Sequence, residues 1–118
     1  MAQQRSFPRA VTTITPQRLS FVGGGTDLPD FYRQHGGAVV SSTIDKYIYV
    51  TVKRHSPLFN ENYRLSYSKT ELVQSLEEIE NDVARECLRL VHAEPPLFIA
   101  TASDLPALSG LGSSSSFA

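Results

Sequence analysis

Two short stretches of this sequence hold residue types suited to handling phosphate groups and polyols. The first is Pro106-Ala107-Leu108-Ser109-Gly110-Leu111-Gly112-Ser113-Ser114-Ser115-Ser116. Gly110 and Gly112 let the backbone turn sharply and approach an anion closely. Successive backbone N–H groups there can form an inward-facing nest, and a helix starting in the serine run would add its positive dipole end. Serine hydroxyls can donate to phosphate oxygens or ligate Mg²⁺. No lysine follows the glycines, so this is not a Walker A loop, and it is not Gly-x-Gly-x-x-Gly, which disfavours a dinucleotide fold. The competing reading is a flexible Gly/Ser tail. Three features argue against a tail: a strand-like run leads in, Leu108 and Leu111 are not linker residues, and Phe117-Ala118 restart an apolar pattern.

The second stretch is Arg18-Leu19-Ser20-Phe21-Val22-Gly23-Gly24-Gly25-Thr26-Asp27. Gly23, Gly24 and Gly25 remove side chains where a substrate could lie against the backbone, with Thr26 beside them. Asp27 can accept hydrogen bonds from sugar hydroxyls. Arg18 can neutralise charge developing on a transferred phosphoryl group. Phosphoryl transfer depends mostly on positioning and electrostatics, so these few residue types suffice for it. The plainer alternative is a structural turn carrying a surface arginine and a helix-capping Thr or Asp.

The elements that must position these loops follow from periodicity. Residues 1–10 read as a loose, flexible start. Val11–Ile14 and Arg18–Val22 have strand character, and Pro16 suggests an edge position or a break between two pieces. Phe31–His35 reads as a short helical turn ended by Gly36-Gly37. Ala38–Ile44 and Tyr47–Val52 form the strongest strand pair, with Asp45-Lys46 as the turn between them. Tyr63–Tyr67 is a further short strand. Leu72, Leu76, Ile79, Val83, Cys87 and Leu90 recur at helical spacing, with Ser68 and Glu71 as a capping box and Pro95-Pro96 as the stop. Leu97–Ala102 is a last strand, and Asp104 is placed to cap the turn before the Gly/Ser loop. The expected fold is α+β over residues 11–118: a mixed sheet with a helix on one face, and no internal repeat or linker.

Composition narrows the functional classes. Of the 118 residues, 41% are apolar and 19% charged, as in an ordinary globular domain with one core. The net charge is −1 and the Lys and Arg residues are scattered, so nucleic acid and anionic membrane surfaces are not the expected partners. Cys87 is the single cysteine, which excludes an internal disulfide scaffold, and it reads as a packing residue. His35, His55 and His92 lack metal-ligand spacing and read as ordinary loop or helix-end residues. No apolar run approaches the roughly 18 residues of a membrane span, and no apolar h-region follows Met1–Arg5, so the expected location is cytoplasmic.

The two loops together resemble motifs of the GHMP kinase family, named for galactokinase, homoserine kinase, mevalonate kinase and phosphomevalonate kinase. Pro106–Ser116 is similar to the family's central phosphate-binding motif, and Arg18–Asp27 with Gly36-Gly37 to its amino-terminal substrate motif. The likeness runs from about Thr15 to the last residue. Gly23–Pro29, Asp45-Lys46-Tyr47 and Gly110–Phe117 are closest in wording to the bacterial branch that acts on heptose 7-phosphate. This resemblance implies ATP and Mg²⁺, and phosphorylation of the anomeric hydroxyl of a sugar phosphate for nucleotide-activated sugar and surface polysaccharide. It also implies a ribosomal-protein-S5-domain-2-like amino-terminal domain, truncated here, before a ferredoxin-like one. By the same resemblance, Ser114 ligates Mg²⁺. Pro106, Ser109, Gly110, Leu111, Gly112, Ser113, Ser115 and Ser116 line the ATP phosphates, Asp27 holds sugar hydroxyls, and Arg18 stands near the reacting centre. Gly24 and Gly25 replace the Glu and His that galactokinase uses for its hexose, which makes galactose an unexpected substrate. The family's downstream catalytic Asp and second Mg²⁺ ligand have no counterpart here, and Asp45, Asp82 and Asp104 are poor substitutes. An inactive fragment of a kinase is therefore expected. A non-catalytic binding module of the same fold, a fucose- or galactose-type kinase of the family, and a purely structural domain are the alternatives.

Overall fold

The computed structural model describes residues 9–106. The loose start at the amino terminus and the loop residues Ser109–Ser116 fall outside the described residues, except that the first strand already begins at Ala10. The described elements are β1 (Ala10–Val22), α1 (Pro29–His35), β2 (Val40–Arg54), β3 (Tyr63–Ser66), β4 (Thr70–Val73), a 3₁₀ turn at Leu76–Glu78, α2 (Asp82–Leu90) and β5 (Leu97–Ser103). The strands form one sheet in the order β1-β2-β5-β3-β4. The β3–β5 pair is parallel and the other pairs are antiparallel, so the sheet is mixed, as expected.

Two sequence expectations need correction, and one open alternative is decided. The stretch around Pro16 is one continuous strand at the sheet edge, the first of the two readings, not two pieces. Pro16 is tolerated because β1 is an edge strand, where a missing N–H breaks no ladder between two neighbours. Likewise Val40–Arg54 is a single strand, with no turn at Asp45-Lys46. The pairing jumps from Pro16↔Tyr47 to Arg18↔Thr43, so Ile44, Asp45 and Lys46 oppose Gln17 in a bulge. The polar pair that reads as a turn therefore belongs to a local widening of the ladder.

The other correction concerns the long helix. Its first half is β4, which pairs back on the expected strand β3, and the 3₁₀ turn, and α2 starts only at Asp82. Tyr67 N–H donates to the Lys69 carbonyl at 2.9 Å, reversing the chain so that Glu71 opposes Leu65. Glu71 is buried, and its carboxylate accepts from the Tyr67 hydroxyl at 2.6 Å, Glu80 N–H at 2.7 Å and Asn81 N–H at 3.2 Å. It braces the approach to α2 rather than closing a capping box with Ser68. The N-cap is Asn81, whose side chain accepts from Ala84 N–H at 3.0 Å.

The core lies between α2 and the β3–β5 side of the sheet. Tyr63, Leu65, Ile79, Ala84, Leu88, Leu97 and Ile99 form one buried cluster. Ala84 and Leu88, one turn apart, supply the inner face of α2. Side chains of this kind each contribute about 1.5–3 kcal/mol on burial. Leu72 and Leu90 lie outside the core, 55% and 80% exposed, because the single helical stripe they were assigned to does not exist. β5 pairs with β2 only over Ile48–Arg54, so the other end of the β1–β2 ribbon projects beyond this core and carries the glycine loop.

Candidate functional site: a substrate cleft and the root of the phosphate loop

The glycine loop leaves β1 after Val22, which pairs with Val40 on β2. Gly23 has φ +93°, and a Cβ there would stand 2.0 Å from the Ala38 carbonyl oxygen. Gly37 is similarly tight: its Cβ would stand 2.3 Å from the Thr26 carbonyl oxygen. The two glycines let segments 23–26 and 36–38 lie backbone against backbone. Thr26 fastens them. Its hydroxyl donates to the Gly23 carbonyl at 2.7 Å, with the Ala38 carbonyl at 3.1 Å as a second acceptor, and accepts from Ala38 N–H at 3.2 Å. Gly25 has φ +87°, and a Cβ on Gly24 or Gly25 would meet nothing within 4 Å. Of the three glycines, Gly23 is required by internal packing, whereas Gly24 and Gly25 face open space.

α1 extends from this loop with Pro29 at its start, and Gly36 at its end donates its N–H to the Tyr32 carbonyl at 3.0 Å. Between loop, helix and returning chain lies an open cleft of about 570 Å³, lined by Thr26, Asp27, Tyr32, Gly36, Gly37, Ala38 and Val39. Asp27 brings a carboxylate to this wall and Tyr32 an aromatic ring. Asp27 was read from sequence. Tyr32, Ala38 and Val39 were not, because the chain must fold back across the loop before they share a wall with it. Arg18 is exposed on β1 opposite Thr43, outside the cleft lining.

The approach to the Gly/Ser stretch begins at the end of β5. Ser103 pairs with Ile48, and the chain then leads through Asp104 and Leu105 to Pro106, which is exposed. Asp104 does not cap its own turn. Its N–H donates to the Tyr47 carbonyl at 3.0 Å and its carboxylate accepts from Tyr47 N–H at 2.8 Å, clasping the middle of β2 beside the bulge. The local cap is Ser103, whose hydroxyl oxygen accepts from Leu105 N–H at 3.2 Å. Asp45 beside Tyr47 raises the phenol's pKa by charge and by hydrogen bonding. Asp82, as expected, faces solvent and pairs with Arg85 at 2.6 Å.

Among the described residues no group of three or more His, Cys, Asp or Glu could hold a metal ion. The residue assigned to Mg²⁺, Ser114, lies outside the described residues. Also among the described residues, no helix is long and apolar enough to cross a membrane.

No protein-family model matches the sequence. Among curated proteins, the chain is 33% identical over 119 residues to D-glycero-alpha-D-manno-heptose 7-phosphate kinase of Campylobacter jejuni, covering 91% of this chain and 34% of that protein. Among solved structures, it superposes with a TM-score of 0.65 and 29% identity on a D-glycero-D-manno-heptose 1-phosphate kinase from Bacteroides thetaiotaomicron, covering 88% of this chain and 37% of that one. Mevalonate kinase from methicillin-resistant Staphylococcus aureus shares the fold at a TM-score of 0.57, 14% identity and coverage of 92% and 35%. The α+β sheet is thus one shared with known kinases. In sequence and fold the chain is similar to GHMP kinases, and it spans about a third of the length of the relatives it matches.

Proposed function

We propose that the complete protein carrying this chain is an ATP-dependent sugar-phosphate kinase that phosphorylates the anomeric hydroxyl of a heptose 7-phosphate, supplying nucleotide-activated sugar for surface polysaccharide. The observation that carries this reading is the cleft lined by both Asp27 and Tyr32, with Gly24 and Gly25 in the loop just before them. A carboxylate accepts hydrogen bonds from vicinal hydroxyls, and an aromatic face covers the apolar side of a sugar ring. The 33%-identical relative is named for a heptose 7-phosphate kinase, which supports the same substrate class.

In this reading Gly24, Gly25, Thr26 and Asp27 bind the sugar, while Gly23 shapes the loop. Arg18 neutralises charge on the phosphoryl group in transfer. The Pro106–Ser116 loop binds the ATP phosphates, with Ser114 holding the Mg²⁺ that accompanies them. The 118 residues alone do not turn over, because they span only 34% of that relative. The test is ADP release by the complete protein against a panel of sugar phosphates. Release with a heptose 7-phosphate and little with galactose supports the reading. Nucleotide binding without release on any sugar phosphate would instead favour a non-catalytic binding module.

A further inference from the structure

Gln17 is fully buried, yet it is a primary amide on an edge strand between Pro16 and Arg18. Its burial follows from the bulge: Ile44, Asp45 and Lys46 of β2 face it, where elsewhere one residue faces one. Its side chain passes across β2, and Nε2 donates to the Ser103 hydroxyl oxygen of β5 at 3.2 Å. That same oxygen accepts from Leu105 N–H at 3.2 Å. Asp104, the residue between, is clasped to Tyr47, and Tyr47 is the register partner of Pro16. So the strand that carries Arg18 and the chain entering the Gly/Ser stretch are joined through a polar chain, Gln17–Ser103–Leu105, inside the sheet.

Burying an amide is unfavourable unless it is hydrogen-bonded, and an apolar side chain of similar size would fill the space without that demand. What the amide adds is direction. It accommodates one placement of Ser103 and therefore one exit path for the segment Ser103–Pro106. A register slip or a rotated exit would stretch the bond from the buried amide to the Ser103 hydroxyl.

We propose that Gln17, acting through Ser103, is a positioning residue that sets the root of the phosphate-binding loop relative to Arg18. This rests on the kinase reading above and deepens it: the substrate strand and the segment Ser103–Pro106 that leads to the ATP loop are tied by a side-chain bond and not only by the backbone ladder. The effect should fall on the nucleotide and spare the sugar, because the sugar cleft is lined from Thr26 to Val39 and Gln17, Ser103 and Leu105 are not part of that lining.

The test uses the complete protein and the variants Gln17→Leu, Ser103→Ala, Ser103→Thr and the Gln17→Leu/Ser103→Ala pair. Two quantities are read: affinity for a fluorescent ATP analogue, and KM for ATP and for the sugar phosphate separately. Each of the first two variants should weaken nucleotide binding and raise KM for ATP by roughly three- to tenfold, with the pair no worse than either single change. KM for the sugar phosphate should stay within about twofold, and Ser103→Thr, which keeps the hydroxyl, should restore wild-type nucleotide affinity. Unchanged nucleotide affinity in both single variants, additive losses in the pair, or equal rises in both KM values would overturn the inference. Should Gln17→Leu fail to fold, Ser103→Ala at its exposed position decides by itself. If the unaltered protein binds the ATP analogue but transfers phosphate to no sugar phosphate, the kinase reading falls while the binding data still decide this inference. If it binds no nucleotide, both fall.

Discussion

The α-carbon of Gly23 sits so close to the carbonyl oxygen of Ala38 that a Cβ there would stand 2.0 Å from it. Backbone meets backbone at this point, so neither side can yield by a rotamer change. With φ at +93°, Gly23→Ala is penalised twice, by the clash and by the left-handed conformation. It should cost about 2–4 kcal/mol of stability in the complete protein, read by denaturant unfolding. Gly24→Ala meets nothing within 4 Å and should leave stability unchanged. A lowered sugar affinity in Gly24→Ala with an unchanged unfolding midpoint would mark Gly24 as a surface the substrate lies against.

Asp27 is exposed on the cleft wall, so its removal tests binding with little structural consequence. Asp27→Asn keeps the shape and removes the charge. It should lower kcat/KM for the sugar phosphate by roughly 10- to 100-fold, the range expected for lost hydrogen bonds to a charged group, and leave the melting temperature unchanged. Equal activity in this variant would remove Asp27 from the site.

Glu71 makes stability depend on pH. Burial pushes its pKa up, but hydrogen bonds from the Tyr67 hydroxyl and from Glu80 and Asn81 N–H outweigh that and hold the carboxyl below its usual value. A folded-state pKa below the unfolded one gives stability that is fully present above the unfolded value, about 4.3, and is lost as pH falls through the lower folded value. Glu71→Gln should therefore cost about 1–3 kcal/mol near neutral pH and flatten the acid limb of the stability curve. An acid limb as steep as the wild type's would show that another carboxylate governs it.

Leu65 is 2% exposed and pairs in parallel register with Ile99 at the centre of the core. Leu65→Ala should cost about 2–5 kcal/mol, whereas Leu72→Ala, on an exposed position of β4, should cost well under 1 kcal/mol. Differential unfolding of the two variants tests the hairpin assignment directly. Were residues 72–90 one amphipathic helix, Leu72 would face the core and the two costs would be alike.

Much of the sheet was legible because alternation is a local signal: Ile48, Val50 and Val52 repeat at period two on β2. Pro29 and Gly36 likewise marked the ends of α1 through their own backbone preferences. The region around Glu71 was not legible. Its three- and four-residue spacing of apolar residues is real, but a buried carboxylate collecting donors from residues 67, 80 and 81 imposes a hairpin that no local period reports. Within the site, Asp27 and the glycines could be read from residue type. The Gly23–Ala38 and Gly37–Thr26 contacts bring the returning chain to the cleft that Tyr32 also lines, and the recurrence of Gly36-Gly37 after the first glycine cluster was the one sequence sign of that pairing. Gln17 gave no sign at all, since its role depends on a bulge in the neighbouring strand.

The central claim concerns where a phosphoryl group goes, and ³¹P NMR of a reaction mixture containing the complete protein, Mg-ATP and a heptose 7-phosphate reads it directly. The account predicts a new sugar phosphate resonance coupled to the anomeric proton, growing as the ATP γ-phosphate signal declines and ADP appears. A resonance coupled to another ring position, or ATP consumed only to inorganic phosphate, would contradict it.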